Sequence, residues 1–128
     1  MIYLDSSAVL ARLFGEGRAP PQSIWEAFLV SSGLLEYEVW NRVHARRLGT
    51  TVSEAAGLLI SRIRLVELTP RVLARALDPF PIAVRTLDAL HLATIEFLRG
   101  QGETVELASY DNRLLAAARA LAIPVAEL

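Results

Sequence analysis

The stretch that decides the fold is residues 1–14, MIYLDSSAVLARLF, where a short apolar run leads into polar residues and then into a helical pattern. The apolar run at residues 2–4 favours a β-strand. The three residues that follow, Asp5-Ser6-Ser7, are typical helix N-caps. This unit therefore predicts a strand that passes directly into a helix, with an acidic side chain at the strand end.

The same order of strand, polar turn and helix continues along the chain. Apolar runs bounded by turn residues predict strands at residues 2–4, 28–30, 65–68, 105–109 and 124–126. Helical periodicity predicts helices at residues 8–14, 22–27, 34–47, 50–64, 70–78, 86–98 and 112–121. Gly49 is expected to end the third of these helices, and Thr86 to cap the sixth.

Strands that are separated by helices pair in parallel, because the connections are too long for hairpins. We therefore predict one α/β domain over residues 1–128. Its central parallel sheet is expected to have four to five strands, with helices on both faces.

Composition narrows the class of protein. The chain has 128 residues, of which 53% are hydrophobic, enough for one buried core. The apolar runs are short and interrupted, so we expect no membrane association. The apolar start lacks a basic leader and contains Asp5, so a cleaved signal peptide is not expected. With no cysteine the chain has no disulfides or thiolate metal sites, which is compatible with the cytoplasm, where we place the protein.

The charged residues exclude several mechanisms. Net charge is −1, which argues against broad electrostatic capture of nucleic acid, although an acidic metal pocket would offset a basic rim. All 13 basic residues are arginine, and the absence of lysine excludes Walker-type phosphate loops and Schiff-base chemistry. It also argues against a phosphoacceptor receiver domain. Ser7 stands where phosphatases resembling haloacid dehalogenases have a second aspartate.

The aspartates follow the predicted strands. Asp5 follows the first strand, Asp111 follows the strand at 105–109, and Asp88 lies in a first helical turn. In an open parallel sheet such strand ends share one edge, and ligands bind there. Carboxylates that converge repel one another, and a divalent cation removes the conflict. Mg²⁺ or Mn²⁺ is expected, since both prefer oxygen ligands.

Each acid also has a structural interpretation. Asp5 and Asp111 are good helix caps, and the helix dipole favours Asp88 near an N-terminus. Glu36 and Glu38 lie in the middle of a helix, where glutamate is usually solvated. Because they are two residues apart, they point in different directions and at most one joins the cluster. Periodicity does not decide which one.

Four stretches together resemble the PIN-domain family, in the family's order and along the whole chain. They are IYLDSSAVLARL (2–13), SSGLLEYEVWNRV (31–43), RTLDALHLATIEFL (85–98) and ASYDNRLLAAARALAIPV (108–125). The alignment selects Glu38 rather than Glu36. The resemblance implies a PIN-like three-layer sandwich whose metal-binding and catalytic residues are Asp5, Glu38, Asp88 and Asp111.

Within that family the chain resembles the VapC toxins of toxin–antitoxin pairs. This implies an endoribonuclease that depends on Mg²⁺ or Mn²⁺ and cleaves RNA phosphodiesters by metal-activated water. It also implies a cognate antitoxin that silences the enzyme, and a homodimer, with which the apolar residues 55–60 agree. Ser6 stands where threonine is frequent, and Asn112 where a second acid sometimes occurs. The latter leaves open whether one or two ions are bound.

Other polar residues have weaker cases. Ser6 and Ser109 are expected to donate hydrogen bonds to the carboxylates or to the phosphate, although both are also good turn residues. Arg42 and Arg46 are candidates for contact with RNA phosphates, with a solvated helix face as the alternative. His91 is more typical of a packed helix histidine than of a general base.

Two alternative functions stay open on the sequence. One is a PIN-like binding or scaffold protein without activity. The other is a solitary RNA-processing nuclease that has no antitoxin. An intact set of four acids argues against the scaffold, because mutually repelling carboxylates have no use there.

Overall fold

The computed structural model describes residues 1–15, 17–47 and 49–128. Within these ranges the strands are β1 (Ile2–Leu4), β2 (Leu29–Ser32), β3 (Arg64–Val66) and β4 (Glu106–Ala108). They form one sheet in the order β3-β2-β1-β4, and all neighbouring pairs are parallel. Val125 adds a single parallel bridge to Leu107, so the predicted fifth strand is reduced to one residue pair.

Helices cover both faces of this sheet. They are α1 (Ser6–Phe14), α2 (Gln22–Glu26), α3 (Leu34–Arg46), α4 (Gly49–Ser61), α5 (Pro70–Leu77), α6 (Thr86–Gly100) and α7 (Asn112–Ala120). Successive strand residues point to opposite faces, so Leu4 packs among α1 to α4, whereas Tyr3 packs against α6 and α7. The predicted three-layer α/β sandwich is confirmed. In the described ranges, none of the helices combines the length and apolar character that a membrane span requires.

Some element boundaries differ from the prediction where the backbone finds other partners. β2 continues past its predicted end, because Ser31 and Ser32 pair in parallel with Leu65 and Val66 of β3. The buried Ser31 hydroxyl finds its own partner by donating to the Leu4 carbonyl (2.6 Å). Arg47, with a left-handed φ of 51°, ends α3, and its N–H donates to the His44 carbonyl. Gly49 therefore begins α4, and the expectation that it ends α3 was wrong.

The strand order places a crevice at the carboxyl ends of β1 and β4. From β1 the sheet grows through β2 and β3 on one side, and β4 joins on the other. The direction of growth thus reverses between β1 and β4, which is where open parallel sheets bind ligands. Asp5 directly follows β1, and its backbone N–H donates to the Ala108 carbonyl (3.1 Å) at the end of β4. The backbone therefore fixes Asp5 at the crevice.

Candidate metal centre

A cavity of about 600 Å³ opens at this crevice. Among the described residues that line it are all four acids singled out in the sequence: Asp5, Glu38, Asp88 and Asp111. They come from four separate segments, which only the folded sheet and its helices bring together. Glu36 is not among the described lining residues, so the geometry places Glu38 beside the aspartates.

Serine hydroxyls fix the Asp5 carboxylate. Its Oδ2 accepts hydrogen bonds from Ser7 Oγ (2.6 Å) and Ser109 Oγ (2.8 Å). Each hydroxyl in turn accepts a backbone N–H: that of Tyr110 reaches Ser7 (2.9 Å), and that of Asp111 reaches Ser109 (2.9 Å). The hydrogen bonds described for this buried carboxylate fall on Oδ2. Oδ1 is therefore the atom through which Asp5 would bind a cation.

Glu38 is held through both carboxylate oxygens. Ser6 Oγ donates to Oε2 (3.3 Å), and Nε2 of His91 lies 2.6 Å from Oε1. Ligand atoms of Asp5, Glu38 and His91 lie within 4.8 Å of one another, a separation compatible with one shared ion. Burial lowers the pKa of His91, but the hydrogen bond and the charge of Glu38 outweigh it, so the net pKa is raised.

A buried chain of hydrogen bonds lies behind His91. The Tyr3 hydroxyl is 2.7 Å from Nδ1 of His91 and accepts the backbone N–H of Ser32 (3.1 Å). Because Tyr3 already accepts that bond, its own O–H can donate to Nδ1, which favours a proton on Nε2, facing Glu38. Burial raises the pKa of Tyr3, so its hydroxyl stays protonated. His91 is thus a packed, hydrogen-bonded histidine that also orients Glu38.

Asp88 and Asp111 are bridged by Arg85. Its Nε donates to Oδ2 of Asp88 (2.9 Å), and its Nη2 donates to Oδ2 of Asp111 (2.6 Å). Arg85 has an extended backbone and is the N-cap residue of α6, whereas Thr86 is the first residue inside the helix. The expectation that Thr86 caps this helix was therefore wrong.

The pKa values of the two bridged aspartates are shifted in opposite directions. Burial raises the pKa of Asp88, and the hydrogen bond and charge of Arg85 offset this only in part. Burial also raises the pKa of Asp111, but Arg85 and the backbone N–H groups of Leu114 and Arg113 outweigh it, and the net pKa lies below its usual value.

Asp111 has a structural role as well. Its Oδ1 accepts the N–H groups of Arg113 (3.0 Å) and Leu114 (3.3 Å) and so caps α7, while Oδ2 meets Arg85. The helix cap and the place in the cavity belong to different oxygens of one carboxylate. The same holds in part for Asp5, whose Oδ2 also accepts the Ser7 N–H (3.4 Å) at the start of α1.

The secondary candidates lie around the same cavity. Ser6 and Ser109 both donate to carboxylates of the cluster. Arg42 lines the cavity. Arg46 lies in the adjoining recess, with its guanidinium 4.1 Å from the centre of the Phe14 ring. All four side chains therefore lie in or beside the acid cavity.

Sequence reasoning missed three members of the site: Ser7, Arg85 and Tyr3. The sequence suggests only a capping role for Ser7. Arg85 stands three residues before Asp88, a spacing at which side chains meet over one helical turn, so a search for charge pairs would have found it. Tyr3 carries no signal, because a tyrosine in a buried strand reads as an ordinary core residue.

The potential metal ligands of the acid cavity suit a hard divalent cation, because they are mostly carboxylate oxygens and the chain contains no cysteine. A second cavity, of about 660 Å³, lies between α5 and α6 and is lined mostly by apolar side chains such as Leu73, Phe80 and Ile82. Apolar side chains cannot replace the water shell of an ion. The smaller, acid-lined cavity is therefore the candidate metal centre.

Comparisons with known proteins find relatives that align over nearly the whole chain. The chain is 32% identical over 130 residues to Ribonuclease VapC46 of Mycobacterium tuberculosis (strain ATCC 25618 / H37Rv), an alignment that covers 97% of this chain and 95% of that protein. It is 29% identical over 130 residues to Ribonuclease VapC35 of the same strain, with 98% and 95% covered. Ribonuclease VapC47 of strain CDC 1551 / Oshkosh is 30% identical over 128 residues, with 93% and 90% covered.

No solved structure matches the chain significantly. The family model of the PIN domain matches residues 2–120, which is nearly the whole chain and includes all four acids of the cavity. The chain therefore belongs to the PIN domain family.

Proposed function

We propose that this chain is an endoribonuclease that depends on Mg²⁺ or Mn²⁺, and that it is the toxin of a toxin–antitoxin pair. The observation that carries the proposal is the convergence of Asp5, Glu38, Asp88 and Asp111 on one cavity. A binding or scaffold protein has no need of carboxylates that repel one another. The relatives named as ribonucleases, which align over nearly their whole length, support the same activity.

Asp5 and Glu38 would hold the ion directly, because their ligand atoms lie within 4.8 Å of one another. Asp88 would bind the ion directly or through a water molecule. Asp111 would be the fourth acid of the site. When bound, the ion lowers the pKa of a water molecule and stabilises the charge that develops on the phosphate of the RNA.

The hydrogen bonds around the acids hold them in place before RNA binds. Ser7 and Ser109 fix Oδ2 of Asp5, and His91 and Ser6 fix the two oxygens of Glu38. Carboxylates that are already held by hydrogen-bond donors need less rearrangement when the reaction begins. The four residues that donate these hydrogen bonds are therefore positioning residues rather than catalytic ones.

A basic rim beside the acids would take the flanking phosphates of the RNA. The acid cavity shares Ser7 and Arg42 with a recess of about 240 Å³, to which Arg18 and Arg46 also contribute. Arginine contacts to phosphate position a nucleic acid without reading its sequence. Acids and arginines side by side are also consistent with a net charge near zero in a nuclease.

The proposal includes a small antitoxin and a homodimer, both implied by the resemblance to VapC toxins. Of residues 55–60, Ala56, Leu59 and Ile60 are buried in the core of the chain itself, so they are not available to a partner. Leu58 on α4 and Tyr37 on α3 are 72% and 77% exposed, and these are the side chains that a partner would cover.

Light scattering on the purified protein tests the dimer, and a monomer at all concentrations contradicts it. Co-purification with the product of the adjacent reading frame tests the antitoxin. We expect a short DNA-binding protein that forms a stable complex and stops cleavage. A chain without such a neighbour would be a solitary RNA-processing nuclease.

Cleavage of total RNA by the pure protein tests the activity, with Mg²⁺ or Mn²⁺, with EDTA, and with the variant Asp5→Asn. We expect cleavage only by the unaltered chain in the presence of a cation. Asp78→Asn is the matched control, because Asp78 lies at the end of α5 and not at the acid cavity; it should cleave normally. Cleavage that survives both EDTA and Asp5→Asn contradicts the mechanism, and no cleavage under any condition supports the scaffold.

A further inference from the structure

Arg85 places a positive charge at the edge of the acid cavity, with its side chain 51% exposed. It lines the cavity together with the acids, and its guanidinium reaches both Asp88 (2.9 Å) and Asp111 (2.6 Å). The guanidinium carries its charge at every physiological pH, and its planar fork presents several N–H donors at once. Two carboxylates that would otherwise repel each other therefore share one cation supplied by the chain.

The other end of the cavity has no such contact among the described residues. Asp5 accepts its hydrogen bonds from serine hydroxyls and one backbone N–H, and Glu38 receives a serine hydroxyl and the imidazole of His91. Arg42 lines the cavity four residues after Glu38 on α3, but the described contacts include none between its guanidinium and the carboxylates of Asp5 or Glu38. The four acids thus form two pairs. Hydroxyls and an imidazole orient Asp5 and Glu38, whereas a guanidinium bridges Asp88 and Asp111.

We propose that Arg85 takes the place of a second metal ion, so that the cavity binds one divalent cation, at the Asp5–Glu38 end. This inference rests on the proposed metal dependence and fixes its stoichiometry. An ion between Asp88 and Asp111 would have to displace the guanidinium or lie against its positive charge. At the Asp5–Glu38 end the described contacts of the carboxylates come from hydroxyls, one backbone N–H and an imidazole, so an ion that binds there displaces no guanidinium.

The bridge also explains why Asp111 is a weak candidate for direct metal binding. Its Oδ1 caps α7 through two backbone N–H groups, and its Oδ2 is occupied by Arg85. Glu38 also has partners on both oxygens, but Asp111 differs because one of its partners is a guanidinium whose permanent charge would repel an ion. Asp111 holds Arg85 in place, and Asp88 shares the same guanidinium.

Counting bound ions tests this inference. Metal-free protein is titrated with Mn²⁺, and free Mn²⁺ is measured by electron paramagnetic resonance. We expect one ion per wild-type chain. Arg85→Gln should gain a second ion, bound at least tenfold more tightly than any second ion of the wild type. Arg85→Lys keeps a positive charge and should stay at one ion.

Two controls locate the effect. Arg113→Gln removes the same charge from a neighbouring surface position whose backbone, not its guanidinium, contacts Asp111, and should leave one ion bound. The double variant Arg85→Gln with Asp111→Asn should lose the gained ion. Circular dichroism and thermal unfolding establish that each variant is folded.

The outcomes separate this inference from the function on which it rests. Two ions in the wild-type chain overturn the inference and leave the metal-dependent nuclease intact, whether or not any variant folds. An unchanged count in a folded Arg85→Gln variant also overturns it. No bound Mn²⁺ in the wild type or any variant overturns the proposed metal dependence itself.

Discussion

The two ends of the acid cavity hold their neighbouring, mutually repelling carboxylates in different ways. At one end, hydroxyl and imidazole donors hold Asp5 and Glu38. At the other end, Asp88 and Asp111 share the guanidinium of Arg85. The first end is oriented but stays rich in negative charge, whereas the second is partly neutralised by the chain. Four converging carboxylates are therefore not four equivalent ligands.

This difference has a functional consequence. We expect a cation to be attracted most strongly where oriented carboxylates have no guanidinium partner among the described contacts, and this is the Asp5–Glu38 end. The Asp88–Asp111 end then shapes the cavity and holds a guanidinium at its edge. Substitutions at the two ends should accordingly differ in size and in kind.

The largest contrast is expected between Asp5→Asn and Asp111→Asn. Asp5→Asn removes a direct ligand and should lower kcat/KM by roughly 1,000-fold or more, about 4 kcal/mol of transition-state stabilisation. Asp111→Asn keeps an oxygen that can cap α7 and should lower kcat/KM by only about 10- to 100-fold, like the loss of a residue that supports a ligand. Steady-state cleavage of a defined RNA measures both, and equal losses would contradict the division of the site.

Glu38→Gln against Glu36→Gln tests the choice between the two glutamates. Glu38→Gln removes a charge from the cation end and should lower kcat/KM by roughly 100-fold or more, because several kcal/mol of charge stabilisation depend on it. Glu36 lies on the same helix but not among the described residues that line the cavity. Glu36→Gln should therefore cleave RNA at a rate within about twofold of the wild type, because substitutions away from such sites usually have small effects. A reversed order in the same assay would show that the wrong acid has been assigned.

His91→Gln should weaken Mn²⁺ binding by about 10- to 100-fold, because Glu38 loses the imidazole that orients it. His44→Gln is the control, since His44 stacks on Trp40 and is not part of the acid cavity. Mn²⁺ titration in parallel with thermal unfolding separates positioning from a merely structural role. Wild-type Mn²⁺ affinity in a folded His91→Gln variant would sink the positioning role.

Ser7→Ala should have a smaller effect, mainly on stability. It removes the acceptor of the Tyr110 N–H and one donor to Asp5, and leaving such groups unpaired costs about 1–3 kcal/mol. Ser61→Ala, at the exposed end of α4, should change the free energy of unfolding by less than about 0.5 kcal/mol. Urea unfolding without metal compares the two, and similar values would mean that the Ser7 network adds little to the fold.

The sheet could be predicted because its signals are local. Each strand includes at least two consecutive apolar residues, and capping residues such as Asp5 and Asp111 mark where the next helix begins. The extension of β2 through Ser31 could not be predicted in the same way. It depends on pairing with Leu65 and Val66 of β3, which are distant in sequence and become neighbours only in the folded sheet.

The acids of the cavity could be predicted, but their partners could not. Strand ends and the family pattern point to the four carboxylates, because position along the chain determines which edge of the sheet they reach. The contact of Glu38 with His91 and that of Arg85 with Asp111 join elements far apart in sequence. Such contacts depend on side-chain directions that periodicity does not fix. The division of the cavity into two ends is therefore a result of the structure.

Anomalous diffraction from crystals of the protein grown with Mn²⁺ tests the central claim most directly. We expect one strong anomalous peak per chain, bound by Asp5 and Glu38, with Arg85 still bridging Asp88 and Asp111. A peak between Asp88 and Asp111 with Arg85 displaced, or two peaks of equal strength, would contradict it.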